Sequence, residues 1–288
     1  MKNILVTGGN GQLGSEIQVL STNSNDNFFF TDVAELDITN IDAIKAFVAD
    51  KQIDIIINCA AYTAVDRAEE DRGLADKVNH LAVQYLSEVA KANDIALVHV
   101  STDYVFGGQN YRPYLESDPT SPNGVYGQTK LDGEKAMMEI NPKNSLIIRT
   151  AWVYSSFGAN FVKTMLKLGK DRDQLTVIYD QVGSPTYARD LAGAILDILP
   201  ELQSDSVEIY NYSNEGVLSW YDFAKEIMKM AKIECNVSPI ETKDYPTPAT
   251  RPHYSLLNKA KIKEKFNITI PYWKDSLDSC LKELGERR

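Results

Sequence analysis

The string Tyr126-Gly127-Gln128-Thr129-Lys130 sets a phenol and an ammonium four residues apart. On a helix, positions i and i+4 share one face, so the two groups point the same way. A nearby ammonium stabilises phenolate and is expected to draw the tyrosine pKa from about 10 toward neutrality. A tyrosine tuned in this way can donate a proton to a carbonyl oxygen or take one from an alcohol. The spacing alone is weak, because a chain with 15 Tyr meets it by chance. Upstream, Ser101-Thr102-Asp103-Tyr104 ends an apolar run, and the Thr102 hydroxyl there could hold a carbonyl beside the tyrosine. Taken by itself, a threonine there is more often simply a β-branched residue closing a strand.

A different chemistry is written near the start. Thr7-Gly8-Gly9-Asn10-Gly11-Gln12-Leu13-Gly14 follows the apolar Ile4-Leu5-Val6, and Gly8, Gly11 and Gly14 give G-x-x-G-x-x-G. Such a turn lets backbone approach a pyrophosphate, packs helix on strand, and aims a helix N-terminus at the anion. Asp32 closes the next apolar run, where a carboxylate accepts from the adenosine ribose of a dinucleotide. It favours the free 2′-hydroxyl of NAD over the 2′-phosphate of NADP, and neutral Asn10 offers that phosphate no counter-charge. A strand-end Asp capping a turn is the alternative. Asp37-Ile38 either lies beside the adenine or shapes a strand-to-helix turn. In Asn58-Cys59-Ala60-Ala61-Tyr62-Thr63, the small Ala60, Ala61 and Thr63 would let a nicotinamide lie against backbone. Close packing explains the alanines as well.

These groups need a scaffold that brings strand ends together. Apolar runs predict strands over 4–6, 28–30, 53–57, 96–100 and 146–148. Helical patterns cover 12–20, 41–47 after the start signal Thr39-x-x-Asp42, and 74–92. A further helix is expected to open with Ser121 as its cap and Pro122 in its first turn. Continuously apolar strands alternating with helices indicate a parallel sheet covered on both faces, a doubly wound α/β Rossmann fold. Beyond about residue 151 the rhythm loosens, with helices over 161–168, 188–199, 220–231 and 276–284 and a strand over 207–212. Residues 1–151 are thus expected to form a dinucleotide-binding domain. Residues 152–288 form mainly a smaller substrate-binding lobe, with some segments returning to the first domain.

Composition excludes several other roles. The 288 residues suit one large domain or two small ones, with 43% hydrophobic and 24% charged. A net charge of −10 opposes general binding to nucleic acid or anionic membrane. Cys59, Cys235 and Cys280 are far apart and never in C-x-x-C spacing, which speaks against a disulfide framework or zinc and for a reducing compartment. His80, His99 and His253 do not pair at metal-ligand spacing, so no metal site is expected. No apolar run approaches the ~20 residues of a membrane span, and no signal-peptide core follows Lys2. A soluble, cytoplasmic protein is the expectation.

The strings TGGNGQLG, NCAAYTAVDRAE, STDYVFGG, YGQTKLDGE, RTAWVYS, DQVGSPTYARDLA and RPHYSLLNKAK run from residue 7 to about residue 261. Together they resemble the extended short-chain dehydrogenase/reductase family, and in it the enzymes that reduce 4-keto sugar nucleotides. The resemblance implies that Tyr126 is a proton donor, Lys130 its partner and ribose anchor, and Thr102 the hydroxyl of a triad. It maps Gly11, Gln12, Leu13, Asp32, Asp37, Ile38, Ala61, Tyr62, Thr63, Tyr126 and Lys130 onto cofactor contacts. Thr102 and Asp103 map onto substrate contacts. Trp152 is implied as an aromatic contact in the sugar-nucleotide site, against a plain core tryptophan. Arg251 is implied to meet a diphosphate, against a plain surface arginine. The implied reaction is NAD(P)H-dependent reduction of dTDP-4-dehydro-L-rhamnose to dTDP-L-rhamnose, with NADH favoured by Asp32. A Mg2+ site does not follow from the residues, and the oligomeric state stays open, a homodimer included. Sugar-nucleotide dehydratases and epimerases share the fold and Y-x-x-x-K, and so does a non-catalytic relative, the regulatory subunit of methionine adenosyltransferase. A dehydratase carries a second acidic group after the position of Asp103, where this chain has Tyr104.

Overall fold

A run such as Ile55-Ile56-Ile57 has no polar face, so it is stable only where both sides of its sheet are covered. The computed structural model describes residues 1–287. Six strands form the main sheet: β1 (Asn3–Thr7), β2 (Asn27–Thr31), β3 (Ile55–Asn58), β4 (Ala96–Thr102), β5 (Leu146–Thr150) and β6 (Glu208–Tyr212). Their spatial order is β2-β1-β3-β4-β5-β6, and every pairing is parallel. The helices are α1 (Gln12–Leu20), α2 (Ile41–Lys51), α3 (Val65–Ala68), α4 (Arg72–Asp76), α5 (Ala82–Ala92), α6 (Val125–Ile140), α7 (Phe161–Asp171), α8 (Ala188–Ile198), α9 (Trp220–Met230), α10 (Ala260–Phe266) and α11 (Trp273–Glu283).

Alternate residues of each strand feed the two covered faces. Ile4, Val6, Ile55, Ile57, Val98 and Ile148 pack on α1, α8 and α10. Leu5, Ile56, Leu97 and Ile147 pack on α2, α5 and Met137 of α6. A third core belongs to the later chain, where Val162, Leu166, Phe223, Ile227 and Leu277 bring α7, α9 and α11 together. The strand expected over 207–212 leaves that region and pairs with β5 at the sheet edge.

The chain runs from β1 to β2 on one side, then crosses to β3 on the other. At such a switch point a crevice opens beyond the carboxyl ends of the strands. Register aligns those ends: Thr7 lies opposite Asn58, Asn58 opposite His99, and Thr102 opposite Thr150.

Three local expectations are corrected. Helix α2 is capped by Asn40, whose side chain accepts from the Asp42 and Ala43 N–H groups, while Thr39 donates to Asp37 instead. The helix expected over 74–92 begins at Arg72 and is interrupted by a π-helical segment over Lys77–Leu81. This wide turn carries Asn79, which pins the backbone of Tyr62 through bonds of 2.9 and 3.1 Å. Helix α6 starts at Val125 behind Gly124, not at Pro122. The backbone N–H of Ser121 is drawn away to the Val105 carbonyl, and Glu69 Oε1 accepts from the Val125 N–H at 2.8 Å. Helix α6 is thus capped across space, and a side chain at Gly124 would collide with that carboxylate.

Candidate active site

A cleft of about 500 Å³ lies at the carboxyl ends of β1, β3 and β4. Backbone shapes its first end. Gly8 sits at φ +65°, and a Cβ there would lie 2.8 Å from the Ala60 Cα. A Cβ at Gly14 would lie 2.3 Å from the Gly8 carbonyl oxygen, so this glycine permits the close fit of helix on turn. Gly8, Gly11, Gln12 and Leu13 line the cleft, whereas Gly14 does not. Gly11 is the N-cap of α1 and no side chain caps it. The first N–H groups of α1 are therefore free of side-chain partners, as an anion-binding helix end requires.

Asp32, Asp37 and Ile38 line the same end. Asp32 caps a turn, its carboxylate accepting from the Val33 N–H at 2.8 Å, and it lines the cleft. Asp37 is likewise a turn former: Thr39 donates to it through N–H and hydroxyl, and these bonds hold its pKa below the usual value. Ala60, Ala61 and Thr63 form the middle of the wall. Tyr62 does not line it; its backbone is held by Asn79 and its side chain packs beside Tyr126 against Ala68, Ala75 and Val125. No group of His, Cys, Asp and Glu suited to a metal ion occurs among the described residues.

At the far end Tyr126 and Lys130 reach the cleft from α6, and Val100, Ser101 and Thr150 reach it from β4 and β5. The expected lowering of the tyrosine pKa is corrected here. Burial pushes the Tyr126 phenol up to about 12, the neighbouring Thr102 hydroxyl pulls it down, and the Asp103 charge adds to the rise. Lys130 does not counter this, because its Nζ donates to the Val100 carbonyl at 2.7 Å and faces His99 Nε2 at 3.3 Å. Burial lowers the Lys130 ammonium to about 8, with Glu134 and Cys59 opposing. Burial thus favours the neutral form of both side chains.

Thr102 and Asp103 lie just behind this wall. The Thr102 hydroxyl donates to Asp103 Oδ1 at 3.0 Å, and Asp103 Oδ2 is buried with no partner among the described residues. Burial raises the Asp103 carboxyl to about 7. Tyr104 packs edge-on to Tyr126, with ring centroids 5.4 Å apart.

A family model, that of the RmlD substrate binding domain, matches residues 1–286. This chain belongs to the RmlD family. A dTDP-4-dehydrorhamnose reductase of Aggregatibacter actinomycetemcomitans is 42% identical over 287 residues, covering 96% of this chain and 97% of the relative. The crystal structure of a dTDP-4-dehydrorhamnose reductase from Clostridium acetobutylicum superposes with a TM-score of 0.93 at 42% identity, covering 98% of this chain and 99% of the other. The enzyme of that name from Bacillus anthracis, solved in complex with NADP, gives 0.93 at 36% identity over 98% and 99%.

Two residues implied for the sugar nucleotide stand outside the cleft of this RmlD-family chain. Trp152 adopts a left-handed backbone, φ +50°, rare for a bulky residue and a sign of local strain. Its ring stacks on Trp220 with centroids 3.7 Å apart. Arg251 is paired bidentately with Asp66, its Nη2 lying 2.7 Å from Oδ2, so its charge is already matched. Val100, Ser101, Thr150 and Val153 were not singled out by the sequence, because apolar or hydroxylic strand-end residues carry no motif. Glu69 and His99 were missed for a related reason: their partners are remote in sequence.

Proposed function

We propose that this chain is an NAD(P)H-dependent reductase that converts dTDP-4-dehydro-L-rhamnose to dTDP-L-rhamnose. The observation that carries this is the Tyr126 side chain at the wall of the cleft that the glycine turn opens, with Lys130 beside it on α6, in a chain that matches its family over 1–286.

The cleft fits a nicotinamide dinucleotide on its own evidence. The Gly8 turn leaves no room for a side chain, the first N–H groups of α1 lack a side-chain cap, and Asp32, which lines the same end, would accept from a ribose. Gly11, Gln12 and Leu13 would hold the diphosphate, Asp37 and Ile38 the adenine side, and Ala60, Ala61 and Thr63 the nicotinamide side. A reduced cofactor there supplies the hydride. Asp32 gives NADH the advantage, through repulsion of a 2′-phosphate. Residues 1–151 then carry the cofactor, and the lobe of 152–288 most of the sugar nucleotide.

Tyr126 supplies the proton that the substrate oxygen needs as it becomes an alkoxide. A phenol that stays neutral at physiological pH is the right species for this step. Thr102 orients the same oxygen and stabilises the phenolate left behind. Lys130 anchors a ribose from the same helix. Asp103 offers its buried, unpartnered oxygen to a sugar hydroxyl. Trp152 supplies an aromatic wall, and Arg251 meets the diphosphate by exchanging Asp66 for it.

Tyr104 weighs against dehydration, since burial pushes its phenol well above its ordinary value and it cannot serve as a base. The free thiols of Cys59, Cys235 and Cys280 support work in a reducing cytoplasm. No helix among the described residues is long and apolar enough to cross a membrane.

The test is direct: mix the protein with dTDP-4-dehydro-L-rhamnose and NADH and follow the nicotinamide absorbance. Oxidation of many equivalents is expected. No oxidation with NADH or NADPH would point to another ketosugar or to a binding protein.

A further inference from the structure

Behind Lys130 runs a row of buried polar side chains that the reaction described above does not use. Thr7 Oγ1 lies 2.7 Å from Asn58 Oδ1, Asn58 Nδ2 3.0 Å from His99 Nδ1, and His99 Nε2 3.3 Å from Lys130 Nζ. The register of β1, β3 and β4 produces the row, placing Thr7 opposite Asn58 and Asn58 opposite His99. All four side chains are at most 1% exposed, so their donors and acceptors must be matched within the row.

His99 cannot satisfy both neighbours in one tautomer if Lys130 changes charge. An ammonium only donates. Facing it, Nε2 must accept, the ring proton sits on Nδ1 and donates to the Asn58 amide oxygen, and the amide NH2 turns to Thr7. A neutral amine can accept. Then Nε2 carries the ring proton and donates to Nζ, Nδ1 accepts from the Asn58 NH2, and the Thr7 hydroxyl donates to the amide oxygen. Rotating the Asn58 amide by half a turn exchanges its two ends between the same positions. Each arrangement makes three hydrogen bonds, and the two differ by one proton on the His99–Lys130 pair.

We propose that His99, aligned by Asn58 and Thr7, is a positioning residue that holds Lys130 Nζ at the cleft wall in both of its charge states by exchanging ring tautomers. The imidazole stays neutral in either state, because burial and then the Lys130 charge hold it well below the usual histidine value. The other groups that act on Nζ are fixed. They are the Val100 carbonyl, the Glu134 carboxylate one turn along α6, and the Cys59 thiol, which burial pushes up to about 12 and so keeps neutral. Only His99 can reverse its hydrogen bond when Lys130 loses its proton.

The role of Lys130 rests on the reductase reading, but the first measurement does not. Ring-nitrogen NMR of the full chain, labelled with 15N-histidine, is followed as pH rises through the Lys130 value of about 8. With 3 His in the chain, loss of one signal in His99→Gln assigns it. A neutral ring is expected throughout, with the Nδ1–H form giving way to the Nε2–H form. A single tautomer across the range, or an imidazolium, would overturn the proposal. The second measurement is the kcat–pH profile. His99→Leu removes a charge-assisted bond from the ammonium, stronger than the bond the neutral amine loses, so the alkaline limb moves acidward by about one unit, a tenfold change in proton concentration. KM for the sugar nucleotide stays as in wild type, and His99→Gln, whose amide can also turn, restores the limb. A folded His99→Leu with the wild-type limb would contradict the proposal. If His99→Leu does not fold, the tautomer measurement on the wild-type chain still decides. Tautomer exchange without turnover would overturn the reductase reading and leave the row intact.

Discussion

At the glycine end of the cleft, the groups that shape the site are neighbours in sequence and act through backbone. Gly8, Gly11, Gln12 and Leu13 follow directly from β1, and the tight contacts of Gly8 and Gly14 are to main-chain atoms. At the far end, where Tyr126 and Lys130 stand, the groups are side chains, collected from β1, β3, β4 and α6 and joined in a buried row. The difference teaches where each end is fragile. The first fails when an atom is added, the second when a proton or a polar atom is removed.

The largest expected effect is at the second end. Tyr126→Phe removes the hydroxyl proposed to protonate the substrate and should lower kcat by about 10²–10⁴-fold, measured at saturating cofactor. The next effect belongs to the first end. Gly14→Ala forces a methyl to within 2.3 Å of the Gly8 carbonyl, and overpacking of this kind costs about 1–3 kcal/mol. Thermal unfolding should show the loss, and it should persist when cofactor is added in excess, because cofactor stabilises both proteins alike.

Both predictions start from strings that were legible in the sequence. G-x-x-G-x-x-G and Y-x-x-x-K are local, and the alternation of apolar strands with helices gave the doubly wound sheet. What was not legible depends on register and distance. His99 looked like an unpaired histidine until β3 and β4 set it against Asn58. Lys130 was expected to act on the tyrosine, yet its Nζ is turned to Val100 and His99. Ser121 and Pro122 carried a plausible start signal, but Glu69, remote in sequence, supplies the cap for α6. Arg251 showed no sign of Asp66, which lies on α3.

Two further effects sharpen the contrast at the far end. Asp103 has its carboxyl raised to about 7 by burial, above the ~3.9 of an unfolded aspartate. A group raised in this way contributes stability that is present below the unfolded value and is lost as pH rises through the folded one. Asp103→Asn, which cannot ionise, should therefore gain in Tm relative to wild type as pH rises from about 4 to about 7, then hold that lead. A constant difference across that window would contradict the assignment. Glu69→Ala removes the remote cap of α6 and should cost about 1 kcal/mol, read as a small fall in Tm. KM for the cofactor should be unchanged.

The most direct test of the division between the two ends sets cofactor binding against turnover in two variants. Reduced cofactor is titrated by tryptophan fluorescence into wild type, Tyr126→Phe and Gly8→Ala, and kcat is then measured at saturation. Tyr126→Phe should bind as wild type does and turn over poorly. Gly8→Ala, strained at φ +65° and pressed against Ala60, should bind at least tenfold more weakly, about 1.4 kcal/mol, and recover most of its turnover once saturated. Binding and turnover falling together in both variants would contradict the account.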